Sequence, residues 1–318
     1  MTGDTSRTGG VSGAGPVGSA GAGGPSGLAV GDLLTAAAVT VDQDVPPSAL
    51  AVGAHPDDIE FGCGATLAKW AAAGCRVHHL ILTDGSKGSW DPGADLGELV
   101  ATREAECRAA AAVIDGPVDG TVAAAGDEAG DRVLYLRRVD GELVNDVDGR
   151  RDVARIIRQL RPAALVAHDP WRRYRLHPDH RAAGFLTLDA LVAARDPHFF
   201  PELGLPPHRP DSLLLFEADL PNHVEDASGF ESQKIEALLC HRSQFESTMG
   251  IPPDDADIGA TGAQAPSHAR RAGSLAGAEQ ATADGYAAFA AKVRHQLMTH
   301  GTLADLPSGE AFHRITAL

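Results

Sequence analysis

The sequence predicts an α/β fold: a Rossmann-like, doubly wound, mostly parallel sheet preceded by a disordered N-terminal tail. Three observations carry that expectation. The apolar run Ala49–Val52 and a second run, Arg76–Thr83, flank a segment in which Leu67, Trp70 and Ala71 fall at i, i+3 and i+4, the mark of a helix with one buried stripe. The pattern returns downstream, with a short strand at Arg132–Leu136, the stripe Val153, Ile156, Ile157 and Leu160, and a strand around Leu165–Ala167. Finally, the runs at 49–52 and 163–168 both end in a polar loop that opens a helix, and in crossover units functional loops lie beyond the carboxyl ends of the parallel strands.

Residues 1–27 are mostly Gly, Ser, Ala, Thr and Pro, with no apolar face to offset the entropy of ordering them, and read as a tail. A lead-in over Leu28–Val45 and the Pro46-Pro47 pair precede the first strand. Gly74 is placed to stop the first helix and Pro162 to close the one before 163–168. Thr83-Asp84-Gly85-Ser86 ends the second strand at the same edge, a helix follows over Leu99–Val113, and Asp140-Gly141 marks a turn. Later elements are a helix marked by Phe185, Leu188, Leu191 and Val192, a strand over Ser212–Glu217, a helix over Phe230–Ser247 and an Ala-rich helix over Tyr286–His300. Residues 250–285 read as a flexible insertion, so the expected organisation is a tail and a single domain over 28–318. The glycines at 62 and 64 lack the third member of a dinucleotide fingerprint, because Leu67 stands there, and no P-loop pattern occurs.

With 43 acidic against 27 basic residues and a formal charge of −16, the surface field disfavours nucleic acid and anionic membranes and suits a neutral or cationic small substrate. Cys63, Cys75, Cys107 and Cys240 are scattered without CxxC spacing, which argues against a zinc ribbon or a disulfide framework. No cationic leader followed by an apolar run opens the chain and no stretch is long enough to span a bilayer, so a cytoplasmic protein without a membrane role is expected.

Chemistry concentrates in two tetrapeptides. His55-Pro56-Asp57-Asp58 ends the first strand, and Pro56 stiffens the turn. His55 and Asp58 can point to one spot while Asp57 points elsewhere, so the loop offers two ligands and a separate base. Alone it reads first as a turn or helix cap. A second cluster, His177-Pro178-Asp179-His180, changes that balance. Together the loops supply two imidazoles and a carboxylate for a metal, with a further His and Asp for proton transfer, which is the inventory of a hydrolytic zinc site.

Ala54-His55-Pro56-Asp57-Asp58 near the first strand, followed by His177-Pro178-Asp179-His180, resembles the PIG-L (LmbE-like) family of metal-dependent N-deacetylases. The pair in this order is specific; either motif alone is weak. Lys234, Ala237, His241, Ser243 and Gln244 fit a LysxxAlaxxxHisxSerGln pattern of the family, and the segment 310–315 is similar to its usual ending. The resemblance implies an amidohydrolase that releases acetate from an N-acetylglucosamine-type small molecule. His55, Asp58 and His180 would bind the metal, zinc or alternatively Fe(II), with Asp57 as general base and His177 as the acid that protonates the amine. Asp179 would orient an imidazole or cap the helix. The resemblance also suggests that Arg103, with Glu106 three residues on, binds the polar substrate, although an exposed intrahelical ion pair fits equally. It suggests Tyr174 for polarising the carbonyl, although Tyr174 lies three residues before His177 where some members have a Tyr two before. His78 and His79 read as structural or solvated, and His168, at a strand end, as a supporting residue. An amidase acting on a thiol or sugar conjugate, and a non-catalytic sugar- or nucleotide-binding module, remain alternatives; the oligomeric state is left open.

Overall fold

Eight strands line up in the order β1-β7-β8-β6-β5-β2-β3-β4 in a computed structural model that describes residues 39–116, 132–252 and 275–318. The strands are β1 Thr40–Val41, β2 Ser48–Gly53, β3 Arg76–Thr83, β4 Val133–Arg138, β5 Ala164–His168, β6 Ser212–Phe216, β7 His223–Asp226 and β8 Gly309–Ile315. Every pairing is parallel except those of β8, which runs antiparallel to β6 and β7. The helices are α1 Asp58–Ala72, α2 Leu96–Asp115, α3 Val147–Leu160, α4 Pro178–Arg195, α5 Glu231–Leu238 and α6 Leu275–Gly301.

The sheet is covered on both sides, and the period-2 alternation of β2 shows how. Ala49 and Ala51 pack with Ile59, Leu67 and Trp70 of α1 and with Cys107 and Ile114 of α2. Leu50 and Val52 pack with Val153 and Ile157 of α3 and with Leu186 and Ala190 of α4. Strands buried on both faces lose their polar alternation, which is why the sequence shows continuous apolar runs there.

β2 pairs with β3 on one side and β5 on the other. From β2 the chain winds through α1 to β3; from β5 it winds the other way, through α4 to β6. The gap between β2 and β5 is therefore the topological switch point, where the loops leaving two adjacent parallel strands part to opposite faces and leave a crevice at the carboxyl edge. Gly184 brings α4 close to it: a Cβ there would stand 2.7 Å from the His168 carbonyl oxygen at the end of β5.

α1 is broken at Cys63, where φ is −150°. The break frees backbone groups, and a buried ion pair takes them: Ala65 N and Thr66 N donate to Glu310 (3.2 and 2.7 Å), and Lys234 Nζ donates to Phe61 O (2.7 Å) and to Glu310 Oε1 (2.5 Å). Two segments noted for their resemblance, the Lys234–Gln244 stretch and 310–315, thus meet on the helix that follows the first motif.

Several expected boundaries move. The helix expected over Phe230–Ser247 stops at Leu238 and is followed by a 3-10 turn at Arg242–Gln244 and a π turn at Phe245–Met249. Ser243 N donates to Glu106 Oε1 (2.8 Å), and an amide used there cannot also close an i→i−4 bond. The last helix begins at Leu275, so 275–285 of the expected insertion is helical; residues 253–274, like the expected tail at 1–27, lie outside the described residues. Short β1 and β7 escaped the pattern because His223 and Glu225 are polar yet buried, paired with each other at 2.9 Å, while Thr40 Oγ1 meets His223 Nδ1 at 2.8 Å. That pairing gives His223 a structural role. None of the described helices is long and apolar enough to cross a membrane.

Candidate active site

Both motifs lie at the switch point. The loop after β2 carries His55 and Asp57 and leads into α1 at Asp58; the loop after β5 leads to His177, the N-cap of α4, with Asp179 and His180 in its first turn. Asp57 holds a left-handed backbone (φ 118°) that is costly for a residue with a side chain, a kind of strain that collects at functional sites.

Three donor groups converge. His55 Nδ1 lies 3.2 Å from His180 Nε2 and 3.4 Å from Asp58 Oδ2, and His180 Nε2 lies 3.2 Å from Asp58 Oδ1. His177 and His180 are stacked, with ring centroids 4.9 Å apart. The far side of each donor group is also engaged. His55 Nε2 meets Asp179 Oδ2 at 3.1 Å and Asp140 Oδ1 at 3.2 Å, which keeps a proton on Nε2 and points Nδ1 inward. Asp58 Oδ2 is held by His55 N–H (2.7 Å) and His168 Nε2 (3.1 Å). Asp179 is itself fixed by the Gly141 and Leu143 amides, at 2.6 and 3.2 Å.

Burial and charge set the protonation states. Burial raises the Asp57 carboxyl, the Arg103 guanidinium opposes this in part, and it ends at about 6. Asp58 is also buried, but the charges and hydrogen bonds of His180 and His168 outweigh that and hold it well below the usual carboxylate range. Burial disfavours a charged His55, yet Asp140, Asp179 and Asp58 together raise its pKa well above normal. For His177, burial and then the neighbouring His55 and His180 lower it; its Nδ1 also accepts the Asp179 N–H at 3.3 Å, so the neutral ring carries its proton on Nε2.

Arg103 is almost wholly buried, with NH1 donating to Gly85 O (2.9 Å), NH2 donating to Pro56 O (2.8 Å) and Asp57 Oδ1 at 3.6 Å. It clamps the loop and steadies Asp57. Glu106 turns to Ser243 instead, so the expected Arg103–Glu106 unit is not formed. Tyr174 is 93% exposed on the rim of a cavity shared with His177 and His180, whereas Arg175, two residues before His177, lies against the cluster with NH1 2.9 Å from His180 Nδ1.

A family model for PIG-L, GlcNAc-PI de-N-acetylase, matches residues 50–191. Diacetylchitobiose deacetylase of Thermococcus kodakarensis is 34% identical over 62% of this chain and 69% of its own length. A 1D-myo-inositol 2-acetamido-2-deoxy-alpha-D-glucopyranoside deacetylase of Saccharopolyspora erythraea is 31% identical over 68% of this chain and 88% of its own. The chain belongs to the PIG-L family. Among solved structures, the N,N'-diacetylchitobiose deacetylase of Pyrococcus horikoshii superposes with a TM-score of 0.65 at 24% identity, covering 85% of this chain and 84% of that one, a likeness of fold.

Within this PIG-L protein several site neighbours had no clear sequence signal. Asp140 was masked by its Asp-Gly turn signature and Glu217 by its place at a strand end. Arg175 looked like one more surface arginine. His168 had a faint one: it is the single polar residue closing an apolar strand. His79, fully buried and 3.4 Å from Asp115, is structural as expected.

Proposed function

We propose that the chain is a zinc-dependent amidohydrolase that removes the N-acetyl group from an N-acetylglucosamine-type substrate: a small glycoside, a thiol precursor or a glycosylated natural product. The relatives named above act on such amino sugars. The observation that carries the reading is that His55 Nδ1 and His180 Nε2 lie 3.2 Å apart with the Asp58 carboxylate against both, Oδ2 3.4 Å from His55 and Oδ1 3.2 Å from His180. Two ligands ~2.0–2.1 Å from a tetrahedral zinc stand ~3.3–3.4 Å apart. The donor set, two nitrogens and one oxygen, also suits zinc, and Fe(II) is the alternative ion.

An ion held by His55, Asp58 and His180 supplies Lewis acidity, making water a better nucleophile and polarising the acyl carbonyl. Side chains of the loops do the rest. Asp57, poised near 6, accepts the proton of the attacking water. Asp179 and Asp140 keep His55 in the tautomer that presents Nδ1. The Asp179 amide on Nδ1 favours a neutral His177 that donates a hydrogen bond from Nε2 to the oxygen where negative charge builds. Asp57, holding the water's proton, is then the group that returns it to the departing amine. This shifts the acid role expected for His177 onto Asp57.

The test is elemental analysis alongside acetate release from N-acetylglucosamine glycosides, for the native protein, Asp57→Ala and His180→Ala. Asp57→Ala keeps its zinc and loses at least ~10²-fold in rate, while His180→Ala loses the metal. A native protein that holds no stoichiometric divalent ion, or an Asp57→Ala variant that turns over normally, overturns the reading.

A further inference from the structure

Beside the imidazoles lies an open cavity of about 230 Å³. His177 and His180 line it together with Arg172, Tyr174, Arg175, Leu176 and Glu217. The last five have no part in the chemistry above, and two arginines among them are unusual for a chain with a formal charge of −16. The loop brings Arg172, Arg173 and Arg175 together against two carboxylates, with Arg172 NH1 3.1 Å and Arg175 NH2 2.6 Å from Glu217, and Arg173 Nε 2.9 Å from Asp219. Of these, Arg172, Arg175 and Glu217 line the cavity, two cations against one anion.

Arg175 is the telling residue. Its side chain is only 7% exposed, yet Nε and NH2 have no aligned acceptor, the 2.6 Å approach of NH2 to Glu217 being a charge contact without hydrogen-bond geometry. A guanidinium has five N–H donors and accepts nothing. Its NH1 is spent on His180 Nδ1, which forces the ring's proton onto Nε2. NH1 also lies 3.4 Å from His168 Nδ1. A largely buried guanidinium whose Nε finds no acceptor, standing beside a cavity, suits an oxyanion, which it can grip with two parallel hydrogen bonds. Tyr174, held outward by a left-handed backbone (φ 57°), offers an exposed ring face on the same rim.

We propose that this cavity is a second subsite, in which Arg172 and Arg175 bind a carboxylate or phosphate substituent of the substrate beside the acetamido sugar. The proposal rests on the amino-sugar reading of the active site and deepens it: the substrate is an anionic derivative, and Arg172 and Arg175 are its specificity residues. The global charge of the chain pointed instead to a neutral or cationic ligand, but recognition follows the local field in the cleft.

The test uses zinc-loaded Asp57→Asn protein, so that ligands bind without turnover, and calorimetry with N-acetylglucosamine, its 1- and 6-phosphates, and N-acetylmuramic acid. At least one anionic sugar is expected to bind roughly tenfold tighter than the neutral one, and the phosphate and carboxylate arms tell which group the subsite takes. Added Arg172→Glu, a change at a side chain open to solvent, should bring that preference below about twofold, and rising salt should weaken it. Equal binding of neutral and anionic sugars overturns the proposal, as does a preference that survives both Arg172→Glu and Arg175→Gln. Acetate release by the native enzyme from neutral sugars without any anion preference defeats the subsite alone. Anion preference in a protein that deacetylates none of these sugars upholds the subsite and defeats the hydrolase reading.

Discussion

Replacing Glu310 by Ala tests how the helix behind the first motif is held. Glu310 lies inside the protein, where it accepts the Ala65 and Thr66 amides exposed by the break in α1 and pairs with Lys234, whose ammonium also caps Phe61 O. Removing one partner of a buried pair costs about 3–5 kcal/mol because a charge is left unmatched. Each of the two amides adds ~1–3 kcal/mol if it stays dry. Water entering the space left by the shortened side chain offsets part of this, so about 4 kcal/mol is a fair expectation. At roughly 2–4 °C per kcal/mol for a domain of this size, Tm falls by roughly 8–16 °C in a calorimetric scan. Lys234→Met in the same background should recover part of the loss by removing the orphaned ammonium. A Tm within about 2 °C of native for Glu310→Ala, or a double variant less stable than the single one, would refute the account of the break as an ion-pair clip.

Three further outcomes follow from the site. Asp57 must be a carboxylate to take a proton, so kcat/KM should fall as pH drops through about 6, and a bound cation would move that limb lower; Asp57→Asn should abolish it. In the metal-free protein the same raised pKa acts on stability with the opposite sense: the folded state holds the proton more tightly than the unfolded chain, so stability declines as pH rises from 3.8 towards about 6. That gap, at about 1.36 kcal/mol per pH unit, makes Asp57→Asn more stable than native at neutral pH by up to roughly 3 kcal/mol in denaturant titration. His177→Gln, which keeps a neutral donor, should retain activity within about tenfold while His177→Ala loses ~10²-fold; equal losses would return the acid role to His177. Because His168 Nε2 fixes Asp58 Oδ2 at 3.1 Å, His168→Ala should weaken zinc affinity about 10–100-fold in a chelator competition.

Sequence and structure agree where the signal is local. Arg76–Thr83 is both the expected and the observed strand, because a run buried on both faces needs only apolar residues. The two motifs also stood out, since Pro beside Asp and His fixes a turn within four residues. What could not be read depends on which distant segments become neighbours. Asp140 reaches His55 only because β4 lies at the edge beyond β3, and its Asp-Gly dipeptide looked complete as a turn. The break after Leu238 was hidden because the apolar spacing of 230–247 continues through it; beyond the break the Ser243 amide is taken by Glu106, on another helix. Arg103, read as a substrate contact or as half of an intrahelical ion pair, is buried and donates to two backbone carbonyls of neighbouring loops, contacts that leave no spacing in the sequence.

The long interval between the motifs has the same origin. His55 and His177 stand 122 positions apart (177 − 55), yet their ring centroids are 4.6 Å apart. Loops that leave a parallel sheet at its carboxyl edge meet only if their strands are adjacent, and in a doubly wound sheet the first strand has neighbours on both sides. β3, the neighbour reached directly, is fed by α1 and sends its loop the same way as β2. β5, the neighbour on the other side, is reached only after the chain has laid down β3, α2, β4 and α3, and its loop departs to the opposite face. A site needing ligands that approach from two directions is therefore built at β2 and β5 and nowhere else along this edge. Moving either tetrapeptide to the end of β3 or β6 would keep every residue type and lose the convergence.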